Sequence, residues 1–176
     1  MDTDLRKPRL HKAMGLEKEP GISSAITGDR EVLDLVQQTP VDNLNLLASG
    51  EVPPNPSELL HSERFEEIFD ELSNRFDRLI FDSPPLIAVS DALILSQLID
   101  GVLLILEFGK TRRETFGRSL EQLRGIGAPF LGCVINEVAA NGAGYYGYNY
   151  SYYQYSYYGD EEDKPRRTED PDRLAS

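Results

Sequence analysis

The run Leu79-Ile80-Phe81-Asp82-Ser83-Pro84-Pro85 constrains the fold more than any other stretch of the chain. An apolar segment without polar alternation suits a strand covered on both faces, as in a parallel sheet flanked by helices. The prolines end it: neither has an amide to donate, and Pro84 holds Ser83 extended, so residues 78–82 read as a strand with Asp82 at its carboxyl edge. Ligands of open α/β sheets bind at that edge. A lone Asp at such a place more often only terminates the strand, so the surroundings decide.

Those surroundings repeat the pattern. Asn55, Pro56 and Glu58 spell a capping box opening a helix, and Ser62 restarts it. Phe65, Ile68, Phe69 and Leu72 then recur at i, i+3, i+4 and i+7, one core-facing stripe. Ser90-Asp91 caps an apolar helix through Ile99, and Gly101 to Leu106 reads as a second buried strand. Thr111-Arg112-Arg113-Glu114 is a further capping box, for a helix with Phe116, Leu120 and Leu123 inward and Gly125 and Gly127 at its end. Phe130 to Asn136 is a third buried strand. Upstream, Gly15 to Gly28 reads as loop with a short apolar turn, Arg30 to Val36 as weakly helical and Leu44 to Leu47 as a strand. Strands alternating with helices at this spacing predict an α/β fold, a parallel sheet flanked by helices with right-handed crossovers. Cys133, the single cysteine, falls inside the last strand and reads as an inert core thiol, which excludes an intrachain disulfide or a cysteine metal site. His11 and His61 have no metal-ligand spacing and are given no chemistry.

Charge narrows the function. A formal net charge of -12 over 176 residues disfavours a nucleic-acid or anionic-membrane surface. No apolar stretch approaches the roughly 18 to 20 residues that span a bilayer, and no signal-peptide pattern opens the chain, so the expected location is the cytoplasm. The N-terminus places Asp2 and Asp4 just before a basic cluster of Arg6, Lys7, Arg9 and Lys12, which suits phosphates as well as solvent. Past Val138 the composition changes. All nine tyrosines, Tyr145, Tyr146, Tyr148, Tyr150, Tyr152, Tyr153, Tyr155, Tyr157 and Tyr158, lie in one short segment among Gly, Asn, Ser and Gln, followed by Asp160-Glu161-Glu162-Asp163. A folded core mixes its aromatics with aliphatics, so this tail is expected to be disordered or partner-bound. A self-associating tract and a stacking platform for single strands are the alternatives, and the acidic neighbours weigh against the second.

Asp2-Thr3-Asp4-Leu5-Arg6-Lys7-Pro8, Asn55-Pro56-Ser57-Glu58-Leu59-Leu60, Phe76-Asp77-Arg78-Leu79-Ile80-Phe81-Asp82-Ser83-Pro84-Pro85, Asp91-Ala92 and the tyrosine cluster, in this order, resemble the bacterial tyrosine kinases of exopolysaccharide and capsule synthesis, autokinases on the deviant Walker ATPase fold. The resemblance implies ATP- and Mg²⁺-dependent phosphorylation of the chain's own C-terminal tyrosines, by one subunit on its neighbour in a homo-oligomeric ring. It also implies a membrane chain-length or activator domain in cis or in trans, a protein-tyrosine phosphatase, and work at the inner face of the cell membrane. By resemblance, Asp2 and Asp4 match the paired carboxylates of the second Walker motif, which hold magnesium and orient or deprotonate the attacking tyrosine. Asp82 matches the Walker B-like metal carboxylate, and Asn136 a position near the adenine. The nine tyrosines are the implied phosphoacceptors.

One family feature is missing. No G-x-x-x-x-G-K-[ST] loop stands upstream of the Asp pair, and Gly109-Lys110-Thr111 fails as a substitute because Leu104, inside a buried strand, occupies the first glycine position. It reads as a connector with Thr111 as helix cap. Without the loop and its lysine the chain is expected to be inactive as it stands, and apolar strand edges should be exposed. The chain is read as an N-terminally truncated record of a longer kinase, with a decayed or split form as the alternative. The expected organisation is a partial kinase or ATPase-like domain over 1–138, a tyrosine-rich tail over 139–158 and an acidic polar tail over 159–176. A catalytically inactive module, phosphorylated by and regulating an intact kinase, is the alternative function. A deviant Walker ATPase of the partitioning or division-site class is disfavoured by the tyrosine cluster.

Overall fold

The longest apolar stripe of the sequence becomes the helix around which the core gathers. In the computed structural model, which describes residues 1–138, Glu63–Arg75 forms a 13-residue helix burying Phe65, Ile68 and Leu72. It begins where expected: Ser62 Oγ accepts from the amide of Phe65 at 3.2 Å, satisfying one of the helix's free donors. In chain order the helices are α1 (Leu10–Met14), α2 (Ile22–Ile26), α3 (Pro56–Leu60), α4 (Glu63–Arg75), α5 (Asp91–Leu95) and α6 (Arg113–Gly125), with a 3-10 turn over Val32–Leu35. The strands are β1 (Val36–Gln38), β2 (Asn45–Leu47), β3 (Val102–Glu107) and β4 (Phe130–Asn136).

Parallel pairing holds where it was expected between β3 and β4, from Val102 against Phe130 to Glu107 against Asn136. β1 and β2 form a separate antiparallel hairpin. The sequence signalled its second strand but gave the first to a helix; only Val32–Leu35 is helical, and Val36 turns into β1. Residues 78–82 correct the reading more deeply. They form no continuous strand: only Asp82 pairs as a strand residue, in a parallel bridge with Asp2. Residues 1–3 lie between this segment and β2: the Asp2 amide donates to Leu47 O at 3.0 Å, the Asp82 amide to Met1 O at 3.0 Å and the Thr3 amide to Asp82 O at 2.9 Å. The N-terminal residues are thus a very short central strand.

The main core joins Leu5, α2, Leu47, Leu60, α4 and Leu95, with Leu79 and Phe81 packed against it. Phe69 of α4 stacks on Phe81 with ring centroids 5.8 Å apart, so the best helix of the chain supports the segment that carries Asp82. α2 is docked through its start: the Ile22 and Ser23 amides donate to Ala48 O and Ser49 O. Gly21 and Gly50 approach so closely there that a Cβ on Gly21 would overlap the Gly50 backbone, and Gly50 also sits at φ 80°.

β3 and β4 depart from expectation in burial. Leu103, Ile105, Leu131, Val134 and Ile135 are exposed, with Leu131 at 68%. Runs this apolar belong inside an α/β sheet, but among the described residues β3 and β4 pair only with each other, and much of their surface is left to water. Cys133 is exposed rather than buried for the same reason. Two capping boxes also fail. Asn55 donates its side-chain amide to Glu58 and caps no backbone amide of α3. Thr111 Oγ1 accepts from the Glu107 amide at 2.9 Å, closing the turn after β3, while α6 starts two residues later without a side-chain cap. Gly109-Lys110-Thr111 is a connector, as read. α5 ends at Leu95, short of Ile99. Met1–Asn136 forms one unit and Glu137 opens a second. The tyrosine-rich and acidic tails, with all nine candidate phosphoacceptors, lie outside the described residues. Among the described residues no helix is long and apolar enough to cross a membrane.

Candidate functional site

The Asp2–Asp82 bridge brings together two carboxylates from opposite ends of the 1–82 stretch. Neighbouring residues of a parallel pair present their side chains on the same face of the sheet. Thr3 secures the junction: fully buried, it donates its hydroxyl to Asp82 O at 2.6 Å beside its own amide bond to that oxygen. Asp2 is also fully buried. Its Oδ2 accepts from the Leu10 amide at 3.1 Å, and its Oδ1 is buried with no hydrogen-bond partner. Asp4 sits in the next turn, half-buried, with Oδ1 accepting from the Arg6 and Lys7 amides at 3.1 and 2.9 Å.

The electrostatics follow from this crowding. Burial pushes the Asp2 carboxyl above its ordinary value, against the lowering effect of amides such as that of Leu10, and the charge of Asp4 raises it further. Asp82 is raised by partial withdrawal from water and then by the charges of Asp2 and Asp4. The Met1 ammonium, donating to Ile80 O at 2.7 Å, is lowered by burial and partly restored by the same two acids, Asp2 and Asp82. Carboxylates held above their usual range are charges for which the protein supplies too little compensation.

An orphaned, buried carboxylate oxygen beside a second acid fits a hard divalent cation. Among the described residues, however, no three acidic, His or Cys side chains stand close enough to enclose a metal by themselves. A Mg²⁺ ion held here would take one or two carboxylates and complete its shell with water and phosphate oxygens, its usual habit. Asn136 lies elsewhere, at the exposed end of β4, where its carbonyl accepts from the Phe108 amide at 2.9 Å.

A second cluster joins three residues that the sequence motifs contain but do not link. Asp91, fully buried at the start of α5, is gripped by the Arg6 guanidinium through Nε at 2.8 Å and Nη2 at 3.2 Å. Ser57 of α3 donates to the same carboxylate at 2.6 Å and accepts from Arg6 Nη2 at 2.9 Å. Burial alone would raise Asp91, but the bonds from Arg6 and Ser57 and the Arg6 charge outweigh it and hold the carboxyl below its ordinary value. Its sequence signal was slight, since Arg6 read as part of a basic run and Asp91 as a helix start.

No protein-family model matches the chain. Individual proteins do. The chain is 37% identical over 148 residues to the tyrosine-protein kinase YwqD of Bacillus subtilis, an overlap covering 84% of this chain and 62% of YwqD. It is 35% identical over 151 residues to the tyrosine-protein kinase CpsD of Streptococcus agalactiae, covering 84% of this chain and 65% of CpsD. The crystal structure of the VpsO kinase domain matches with a TM-score of 0.75 at 32% identity, over 78% of this chain and 68% of that one. The chain therefore spans less than two thirds of the length of these two curated relatives.

Proposed function

We propose that this chain, which belongs to the bacterial tyrosine-protein kinase family, is the acidic half of a protein-tyrosine autokinase centre together with the tyrosine tail on which that centre acts. The reaction is transfer of the ATP γ-phosphoryl group to C-terminal tyrosines, in control of exopolysaccharide or capsule polymerisation and export. The observation that carries it is the Asp2–Asp82 bridge with the buried, unpartnered Asp2 Oδ1.

Asp2 and Asp82 would hold Mg²⁺, with Asp4 contributing through water. When bound, that ion neutralises phosphate charge and fixes the phosphate for in-line attack. The chain's own residues account for the remainder. Asp4 is oriented by two backbone amides on Oδ1, and its Oδ2 has no hydrogen bond among the described residues. That oxygen suits orienting the tyrosine hydroxyl. The phenol, with an unperturbed pKa of about 10, must give its proton to a nearby base. Asp4, whose second oxygen is not committed to the metal in this arrangement, is the carboxylate placed to accept it.

Asn136 is retained as the residue proposed near the adenine, and Tyr145 through Tyr158 as acceptors. Working at the inner face of the membrane, the chain would pair with a membrane activator domain and with further copies of itself, and a phosphatase would reverse the modification. Each phosphate adds roughly -1.5 to -2 charge beside an acidic segment, so heavy phosphorylation pushes neighbouring copies apart. Equal sedimentation of modified and unmodified assemblies would contradict that.

Residues 1–176 contain no glycine-rich loop with a Walker lysine, so we read the chain as inactive alone. Incubation with magnesium ATP and detection of phosphotyrosine tests this: signal should appear only when an intact kinase of the family is added. Absence of signal in both cases would refute the tyrosine tail as substrate. Signal from the chain alone would show that the missing loop is dispensable.

A further inference from the structure

Arg6, Ser57 and Asp91 come from three segments separated by up to 85 positions, and two of them, Arg6 and Asp91, stand on pieces of chain that continue from the acidic site. Arg6 stands two residues after Asp4, in the turn whose amides hold the Asp4 carboxylate. Asp91 stands nine residues after Asp82, at the far end of the loop that begins with Pro84 and Pro85. Ser57 lies on α3 and fastens that meeting point to the helix. The guanidinium fork admits one relative orientation of the two partners, because its two contacts fix an angle as well as a distance.

We propose that Asp91, acting through Arg6 and Ser57, is a positioning residue for the acidic site. It sets the Asp4 turn against the loop that follows Asp82. The same contact occupies the Arg6 guanidinium, which would otherwise be free to neutralise the nearby carboxylates and compete with a cation. This inference rests on reading Asp2, Asp4 and Asp82 as the metal site, and its test separates the two.

Mn²⁺, as the spectroscopic stand-in for Mg²⁺, is titrated into the full chain and into Asp91→Asn, Arg6→Lys and Ser57→Thr, with free Mn²⁺ read by electron paramagnetic resonance. Amide hydrogen exchange of residues 1–10 and of α4 is followed in parallel without metal. Asp91→Asn should weaken Mn²⁺ binding by about tenfold, in the range of losses seen when groups orienting metal ligands are removed. Arg6→Lys keeps the charge but not the fork, and should lose a similar factor. Ser57→Thr retains the hydroxyl and should bind as the wild type does. Exchange should quicken at the Arg6, Lys7 and Leu10 amides in the first two variants while α4 is unchanged. Unaltered binding together with unaltered exchange at residues 1–10 would overturn the proposal. So would acceleration spread evenly through α4, which would make the cluster a general stabiliser. If the wild type bound no Mn²⁺ while exchange still quickened only at residues 1–10, the metal reading would fall and the positioning role would stand.

Discussion

Replacing Asp2 by Asn should stabilise the protein at neutral pH. Asp2 is fully buried, one of its oxygens has no partner, and it is bridged to Asp82. With backbones one strand spacing apart, two such carboxylates about 5 Å from each other repel by about 3 kcal/mol at an effective dielectric of about 20. Water around the exposed Asp82 cuts this to roughly 1 kcal/mol. The Asn carbonyl can still accept from the Leu10 amide, so little is lost in exchange. A gain of about 1 kcal/mol raises Tm by roughly 2–4 °C in a chain of this size. The sign follows from the direction of the shift. Asp2 is raised in the fold, so wild-type stability falls as pH rises from the ordinary carboxylate pKa through the folded one. The advantage of the variant should therefore open across that window and vanish below it. Urea unfolding of both proteins at about pH 3 and about pH 7 measures it. Added Mg²⁺ should stabilise the wild type more than the variant and narrow the gap at neutral pH. A variant less stable than wild type at neutral pH, or a gap of equal size at about pH 3, would refute the reasoning.

Ser62→Ala should cost about 1 kcal/mol in chemical denaturation by removing the α4 cap, whereas Asn55→Ala should cost only a few tenths, since Asn55 caps nothing. Phe65→Ala should cost about 3–5 kcal/mol in the same assay, the largest single loss in α4, because the ring is fully buried. Ile105→Lys and Leu131→Lys should change stability by less than about 0.5 kcal/mol and lower self-association in light scattering, their side chains being 63% and 68% exposed. Cys133 should react with a thiol reagent such as Ellman's reagent without denaturant, and protection until unfolding would contradict its exposure.

What the sequence disclosed and what it hid divide along physical lines. α4 was legible because its stripe and its Ser62 cap are local signals, complete within one helix. The β3–β4 pairing was legible because uninterrupted apolar runs mark parallel strands. Burial of those strands was not, since it depends on neighbours and not on the strand itself. Leu131 and Cys133 have an interior composition without an interior around them. Asp82 was placed at a strand end by its own apolar run and prolines, Asp2 was named through family likeness, and only the bridge shows that they adjoin. Residues 78–82 looked like a full strand, yet pairing needs a partner of equal length, and residues 1–3 are too few to supply it. Arg6, Ser57 and Asp91 were invisible as a unit, because a buried ion pair assembled across 85 positions leaves no spacing to read.

The bond between Thr3 and Asp82 spans 79 positions, and that between Arg6 and Asp91 spans 85. On a ribosome adding about 5 to 20 residues each second, the first acids wait roughly 4 to 20 seconds for their counterparts to emerge. Closing such long loops comes after local helices have formed. An unfinished chain therefore has the ingredients of the acidic pair but not the pair itself, and whatever it does with a cation or a phosphate begins only once synthesis has passed Asp91.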